Sequence, residues 1–260
     1  MITIGSVPYV NARPLVQRFD DDPALGIKVE YDVPSKLAQR LSAENWDVAL
    51  VSSYFALASD LHVADGVGII SDGPVASVRV FSKVPFERVE RLALDQSSMT
   101  SNALAQIILH EQFGVVPLTR TEPPNLESML SSNDACVLIG DIGLETAADG
   151  LHVIDLGAAW NELTGLPFVW ALWTGTPSPA LVRSLNSAYE WSLSNWDRVV
   201  ESAQTQSGWS LERVQSYLTS NVQFHFGERE KTGLSLFCDL LQDDNLTFPH
   251  VVTTSSEVVV

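Results

Sequence analysis

MITIGSVPYVNARPL, residues 1–15, contains a short apolar run, a polar turn and the start of a helix. MITIG (1–5) is predicted to be a buried strand, because a short apolar run bounded by a turn is typical of one. Pro14 favours a helix start, where its missing N–H costs little. Asn11 lies between the two, where a hydrophobic residue would have continued the strand. Its amide can cap the helix, fix the turn or contact a ligand, and the sequence leaves these alternatives open.

The same order of strand and helix continues along the chain. The further predicted strands are IKVEYDV (27–33), DVALVSS (47–53), VGII (67–70), RLALD (91–95), ACVLIG (135–140), HVIDL (152–156) and FVWALWT (168–174). The further predicted helices begin at Pro34 and span 97–114, 179–204, 209–219 and 228–242, with Gly114 and Gly208 as ends. This alternation indicates an α/β fold with mixed, largely parallel sheets.

Two such α/β units, followed by helices, predict two lobes joined near residues 80–84 and 168–174. We expect a periplasmic-binding-protein-like architecture with a ligand cleft between the lobes. Lobe 1 is predicted to comprise residues 1–87 plus 170–260, including the C-terminal helices, and lobe 2 residues 88–169. Ligands of open parallel sheets bind at the carboxyl ends of the strands, so the chemistry is expected directly after them.

The charge of the chain excludes some classes of partner. Asp and Glu number 32 against 15 Lys and Arg, for a net charge of -17. An acidic surface repels phosphate backbones and anionic lipids, so neither nucleic acid nor a membrane is an expected partner.

The spacing of Cys136 and Cys238 matches neither a disulfide framework nor a metal-binding motif. No basic leader and no run of roughly 20 apolar residues is visible. We expect a soluble, cytoplasmic protein, either a monomer or a homodimer.

Hydroxyl, amide and glycine residues follow the predicted strands. The segments are Ser6–Asn11, Ser52–Phe55, Ser71–Ser77, Ser97–Asn102 and Gly140–Asp141. Helix N-termini carry a partial positive charge, and with neighbouring hydroxyls they form sites for a carboxylate or phosphate. Ser97, Ser98, Thr100 and Ser101 form the strongest candidate of this kind. Ordinary helix capping explains the same four residues equally well.

The segment SDGPVAS (71–77) also has two interpretations. Asp-Gly-Pro is typical of a tight turn, which accounts for Gly73 and Pro74 without any ligand. Ser77 is predicted to lie within an apolar strand, where a buried hydroxyl is costly unless it finds a partner. Arg13 and Arg79 are the cations of these motifs, and either can pair with a ligand carboxylate or with an acid of the protein.

Several kinds of catalytic signal are missing from the sequence. The five histidines (62, 110, 152, 225 and 250) fit no metal-ligand spacing. No nucleophile–base pair and no nucleotide-binding glycine motif is visible. We therefore predict no metal and no cofactor, and any catalysis would work without an evident protein base.

Five segments, in their order along the chain, resemble the chorismate dehydratases of the futalosine route to menaquinone. They are SVPYVN, ISDGPVASV, SSMTS, VLIGD and DLGAAWNELTGLPFVWALW (155–173). The resemblance runs from about residue 2 to residue 242. It implies a type II binding-protein fold used as a lyase, which removes water from chorismate to give 3-[(1-carboxyvinyl)oxy]benzoate.

The resemblance also implies roles for particular residues. Asn11 and Ser77 match the catalytic amide and hydroxyl of the family. The implied substrate-binding residues are Ser52, Gly73, Pro74, Ser97, Ser98, Thr100, Ser101 and Asp141. Loss of the C3 proton and the C4 hydroxyl aromatises the ring, so our hypothesis is that the enolpyruvyl carboxylate of the substrate itself accepts the proton.

Two alternatives remain at this point. One is the related 1,4-dihydroxy-6-naphthoate synthase, which uses a histidine base; His152 is the nearest histidine to a strand end. The other is a non-catalytic cytoplasmic binder of a small carboxylate, because a fold does not fix a function.

Overall fold

The computed structural model describes residues 1–43, 46–243, 245–246 and 248, and the backbone of 258–259. This part of the chain contains twelve strands and eleven α-helices. The strands are β1 (Ile2–Ser6), β2 (Ile27–Tyr31), β3 (Val48–Ser52), β4 (His62–Ser71), β5 (Arg79–Ser82), β6 (Arg91–Asp95), β7 (Leu118–Glu122), β8 (Ala135–Leu138), β9 (His152–Asp155), β10 (Phe168–Gly175), β11 (Gln223–Phe226) and β12 (Val258–Val259). The helices are α1 (Arg13–Asp21), α2 (Pro34–Ala43), α3 (Ser53–Ala58), α4 (Thr100–Phe113), α5 (Leu126–Ser132), α6 (Gly140–Glu145), α7 (Leu156–Thr164), α8 (Pro179–Ser194), α9 (Trp196–Ser207), α10 (Leu211–Ser216) and α11 (Glu228–Leu240).

The first of two compact units, called unit 1, contains a seven-stranded sheet. Unit 1 comprises Met1–Ile70, Val169–Glu228 and the described pair Val258–Val259. Its strand order is β11-β4-β10-β3-β1-β2, and β12 pairs with β4. β1 is parallel to β2 and β3, whereas β10 is antiparallel to β3. Because β1 and β3 are parallel neighbours, the segments that follow them begin at the same edge of the sheet.

The second compact unit, called unit 2, contains a five-stranded sheet. Unit 2 comprises Ser71–Phe168 and the described residues of Arg229–Val251. Its strand order is β7-β6-β8-β5-β9, with β6 parallel to both neighbours and β5 antiparallel to both of its own. The expectation of an α/β fold with mixed sheets is confirmed. The lobe bounds given above stay a prediction.

Local sequence signals explain where most elements begin and end. Pro14 lies in the first turn of α1 and Pro34 begins α2, as expected. α4 ends at Gly114, whose φ of +67° suits a residue without a Cβ. Some predicted helices were wrong in extent. The helix predicted over 179–204 breaks at Asn195, and the one predicted over 209–219 begins at Leu211 and continues as a π-helical turn over Tyr217–Asn221.

Each unit has its own apolar core. In unit 1, β3 is almost wholly buried and Leu15 of α1 is inaccessible to solvent. In unit 2, Trp160 of α7 packs edge-on against Phe168 and Phe237, with ring centroids 5.2 and 6.2 Å away. Both cysteines are free thiols. Within the described residues, no helix combines the length and the apolar character that crossing a bilayer requires.

Gly5, the fourth residue of β1, is expected to tolerate no larger residue. A Cβ there would overlap the Trp46 ring, with Cε3 at 2.7 Å, and would lie 2.9 Å from Cβ of Ala49. We expect Gly5→Ala to lower the free energy of unfolding by about 1–3 kcal/mol, the usual cost of overpacking a core. Urea denaturation measures this. In a Trp46→Leu background the same substitution should lower the free energy of unfolding by less, because the indole ring has been removed. An equal loss of stability in both backgrounds would contradict the steric explanation.

Candidate active site

Asn11 lies in unit 1, on a 3₁₀ turn over Val10–Ala12 that joins β1 to α1. The helix-capping alternative is wrong, because Ala12 is the N-cap of α1 and no side chain caps that helix. The Asn11 Nδ2 atom lies 3.5 Å from the hydroxyl of Tyr217. Its Oδ1 atom is buried without a hydrogen-bond partner. A buried, unsatisfied amide oxygen is costly, because it has lost its hydrogen bonds to water without gaining a partner.

Ser52 ends β3, the strand beside β1, and its hydroxyl begins the next helix. Ser52 Oγ accepts a hydrogen bond from the backbone N–H of Phe55 at 3.3 Å, as an N-cap does. Capping therefore accounts for this serine within the protein. Its assignment to substrate binding stays a prediction.

Ser77 lies in unit 2, in the loop between β4 and β5. The expectation that it forms part of a strand was wrong, because β5 begins only at Arg79. The loop has an unusual backbone: Gly73 has a φ of +117°, and Ala76 has a φ of +63°, which is uncommon for a residue with a side chain. Ser77 itself is 3% exposed. The prediction of a buried hydroxyl at this position is confirmed.

The carboxylate of Asp155 holds this loop in place. It accepts hydrogen bonds from the backbone N–H groups of Val75 at 3.0 Å and Ala76 at 2.6 Å. It also caps α7 by accepting from the N–H of Ala158 at 3.0 Å. Sequence reasoning placed Asp155 in a strand, which β9 confirms, but missed its contacts with the loop and with α7. The signal that could have found it is an Asp directly before an apolar helical pattern.

Two glycines allow the Ser77 loop to approach its neighbours. A Cβ at Gly157 in α7 would lie 2.5 Å from the carbonyl oxygen of Gly73 and 3.0 Å from the backbone nitrogen of Val75. A Cβ at Gly143 in α6 would overlap the carbonyl oxygen of Ser77. Gly73 thus lies against α7, and Ser77 lies against α6, whose first turn contains Asp141.

The predicted anion site at Ser97–Ser101 has an acid beside it. Ser97 donates from its backbone N–H at 2.8 Å and from its hydroxyl at 2.5 Å to Oδ1 of Asp95. Ser98 Oγ accepts from the N–H of Ser101 at 3.2 Å, one residue before Met99, which is the N-cap of α4 and makes no side-chain capping bond. The helix itself begins at Thr100, later than predicted. Helix capping and anion binding therefore both remain open for this segment, and its ligand-binding role stays a prediction.

Asp95 is almost fully buried, and its Oδ2 atom has no hydrogen-bond partner. Burial raises the pKa of this carboxyl group, although hydrogen bonds from Ser97 and from the backbone N–H of Ile139 act in the opposite direction. Ile139 immediately precedes α6. The turn after β6 and the turn after β8 are therefore neighbours in unit 2, as the parallel pairing of these strands requires.

The two arginines of the motifs are engaged within the protein. Arg13 forms an ion pair with Asp20 at 3.0 Å and also donates to Gln17 and to Tyr31. Arg79 donates from Nε to the carbonyl oxygen of Gly143 at 2.7 Å and thereby caps the end of α6. Of the alternatives given above, Arg13 thus pairs with an acid, and Arg79 contacts backbone carbonyls instead.

Two of the histidines, His152 and His110, contact other side chains of unit 2. His152 is exposed at the start of β9 and lies edge-on to Phe86, with ring centroids 6.2 Å apart. His110 Nδ1 lies 3.0 Å from Oε1 of Glu111 and 3.7 Å from Oδ2 of Asp243. These three side chains are of types that can bind a divalent cation. Histidine–carboxylate pairing alone explains why they approach one another.

The strand order and the mixed sheets are those of periplasmic-binding-protein-like folds. A protein from Archaeoglobus fulgidus has a similar structure, with a TM-score of 0.73 and 18% identity over 93% of this chain and 96% of that one. The periplasmic aliphatic sulphonate binding protein SsuA from Escherichia coli has a TM-score of 0.64 and 16% identity, over 96% of this chain and 89% of that one. At these identities the similarity establishes the fold alone.

Sequence comparison then identifies the family. A family model described as menaquinone biosynthesis matches residues 2–243. A chorismate dehydratase from Thermus thermophilus is 31% identical over 92% of this chain and 94% of its own length. This chain belongs to the menaquinone biosynthesis family, and the resemblance stated from the sequence motifs is confirmed.

Asp155→Ala is expected to release the Ser77 loop as well as a helix cap. Loss of the cap and of two bonds to a carboxylate should lower the free energy of unfolding by about 2–3 kcal/mol. Asn125→Ala is the matched control, because Asn125 caps α5 through Ser128 and contacts no such loop. Hydrogen exchange by mass spectrometry should show faster exchange at Val75 and Ala76 only in Asp155→Ala. Equal exchange there in both variants would contradict the assignment.

Asp95→Asn is expected to change how stability depends on pH. The folded-state pKa of Asp95 lies above its ordinary value of 3.8, so its contribution to the free energy of unfolding is fully present below that value. The contribution is lost as the pH rises through the folded-state pKa. Urea denaturation from about pH 4 to 7 should therefore show a wild-type-minus-variant difference that falls with rising pH. A difference that stays constant would show that this carboxyl group titrates alike in both states.

Proposed function

We propose that this protein is a chorismate dehydratase, a hydro-lyase that converts chorismate to 3-[(1-carboxyvinyl)oxy]benzoate and water. The observation that supports this most is the identity of 31% with a chorismate dehydratase along 94% of that protein's length. Four of the five segments of the family resemblance also include a turn that follows a strand, as a site of this fold requires, and the fifth contains α7 and most of β10.

The reaction needs little chemical activation from the protein. A proton leaves C3 of chorismate and hydroxide leaves C4, and the new double bond completes an aromatic ring. Because aromatisation supplies a large driving force, the main tasks of the protein are to hold a reactive conformer and to stabilise the departing hydroxide. Fixed N–H and O–H dipoles suit both tasks, because they need no reorganisation during the reaction.

Asn11 and Ser77 are proposed as the catalytic residues. Each is an uncharged donor, so neither repels the two carboxylates of chorismate. Ser77 is nearly inaccessible to solvent and its loop is held at three points, by Asp155, Gly143 and Gly157. Asn11 has an amide oxygen without a partner. Fixed donors of this kind, the Ser77 hydroxyl and the Asn11 N–H₂ group, are what preorganised stabilisation of a departing hydroxide needs.

The proton acceptor is proposed to be the enolpyruvyl carboxylate of chorismate itself. The segments that contain Asn11, Ser77 and Ser97–Ser101 include no histidine, and His152 packs on Phe86 at the start of β9. An intramolecular carboxylate close to C3 has a high effective concentration, which replaces a protein base. The proposed binding residues Ser52, Gly73, Pro74, Ser97, Ser98, Thr100, Ser101 and Asp141 would then fix the substrate conformer.

The direct test is to incubate the purified protein with chorismate and to analyse the mixture by liquid chromatography with mass and ultraviolet detection. We expect a product lighter by one water with an aromatic absorption spectrum, formed far faster than with boiled protein. Unchanged chorismate that nevertheless raises the melting temperature would indicate a carboxylate binder. No effect in either measurement would contradict the proposed function.

Asn11→Ala and Ser77→Ala are each expected to lower kcat by about 10²-fold, the usual loss when one preorganised donor to a developing negative charge is removed. Asn11→Asp should be at least as damaging, because a carboxylate of the protein repels the chorismate dianion. Ser131→Ala is the control, because this exposed hydroxyl only bonds within α5. Wild-type turnover by both alanine variants at saturating chorismate would rule out these two assignments.

A further inference from the structure

The side chain of Asn11 has one neighbour that sequence reasoning did not consider. The hydroxyl of Tyr217 lies 3.5 Å from Nδ2 of Asn11, across 206 positions of sequence. This is long for an N–H···O bond, whose usual length is about 2.9–3.0 Å. At the other end of the amide, Oδ1 is buried with no partner. The observed contact uses a donor of the amide and leaves its acceptor, the oxygen Oδ1, unused.

Tyr217 is held firmly in its place. It is 5% exposed and begins the π-helical turn over Tyr217–Asn221 that follows α10. Its ring packs edge-on against Trp209, with centroids 5.8 Å apart and planes at 80°. The guanidinium of Arg213 lies over the Trp209 ring, 4.6 Å from the centroid of that ring. π-helical turns are rare and occur often at functional sites, where they reorient one side chain.

A second contact links the same helical region to the loop of Asn11. Nε2 of Gln206, near the end of α9, donates to the carbonyl oxygen of Pro8 at 2.7 Å. Pro8 and Asn11 are both in the short connection from β1 to α1. α9 and the π-helical turn therefore contact this connection at two points, one on its backbone and one on the Asn11 amide.

We propose that Tyr217 is a positioning residue for Asn11, an inference that rests on the proposed dehydratase function. The Tyr217 hydroxyl can donate as well as accept, so it can bond either end of the amide. If the amide turns by 180° about its Cβ–Cγ bond, Oδ1 accepts from Tyr217 and the orphaned oxygen is satisfied. Nδ2 then takes the position that Oδ1 has in the structure, and neither of its N–H bonds is used by Tyr217.

This arrangement also makes Asn11 a better donor. A hydrogen bond accepted by the amide oxygen polarises the amide, which strengthens the hydrogen bonds that the N–H₂ group donates. The negative charge that develops on the departing hydroxyl of chorismate benefits from stronger donation, whereas the ground-state hydroxyl benefits less. Tyr217 is therefore expected to affect kcat more than KM.

The test compares Tyr217→Phe, Asn11→Ala and the double variant with wild type. Tyr217→Phe is expected to lower kcat about tenfold, the effect of one hydrogen bond, with KM for chorismate changed less than about twofold. In the Asn11→Ala background the same change should have no further effect on kcat, because the amide on which Tyr217 acts is gone. Tyr189→Phe is the matched control, because this ring packs on Phe224 in the same unit, and it should keep wild-type kinetics.

The outcomes separate this inference from the proposed function. If the wild type dehydrates chorismate and Tyr217→Phe keeps its kcat, the positioning role of Tyr217 is wrong and the function stands. Additive losses in the double variant would show a purely structural effect of Tyr217 and would also overturn the inference. A wild type without dehydratase activity would overturn both. Melting temperatures of all variants show whether any loss comes from unfolding instead. In that case the kinetic comparison is made at a temperature well below the lowest melting temperature.

Discussion

Three backbone N–H groups converge on the carboxylate of Asp155, and the conformation of the Ser77 loop depends on them. Two come from Val75 and Ala76 and one from Ala158 in the first turn of α7. A single carboxylate can accept all three, and the partial positive charge of the helix start favours it there. The φ of +63° at Ala76 is unfavourable by itself and persists because these contacts hold it.

In each unit, the connection that follows a strand is held by residues from a distant part of the chain. In unit 2, Gly157 and Gly143 let α7 and α6 approach the backbone of the Ser77 loop more closely than a Cβ would permit. In unit 1, Gln206 and Tyr217 contact the connection that contains Asn11. Side chains placed in this way have little freedom to relax, which is the physical requirement for stabilising a transition state by fixed dipoles.

Fixed dipoles are the groups that these connections offer to the carboxylates of the proposed substrate. The chain has a net charge of -17, and its two motif arginines are engaged by Asp20 and by the end of α6. Asp95 lies beside Ser97 as a buried acid with a raised pKa, so it is more readily neutral than an exposed aspartate. Neutral amides, hydroxyls and helix N-termini can bind a carboxylate without a compensating positive side chain.

The sequence by itself determined the α/β class and most of the strands, because hydrophobic periodicity and helix-end preferences act over a few residues; RLALD and the helix end at Gly114 are examples. It also indicated Asn11, a polar residue after an apolar run, and Ser77, a hydroxyl among apolar residues. It missed β7, whose residues LTRTE are mostly exposed and do not alternate. Only the tertiary structure decided the parts played by Asp155, Gly143, Gly157 and Tyr217. Their contacts join residues as far as 80 and 206 positions apart, and which distant backbone atoms meet depends on the packing of whole elements, which no local pattern encodes.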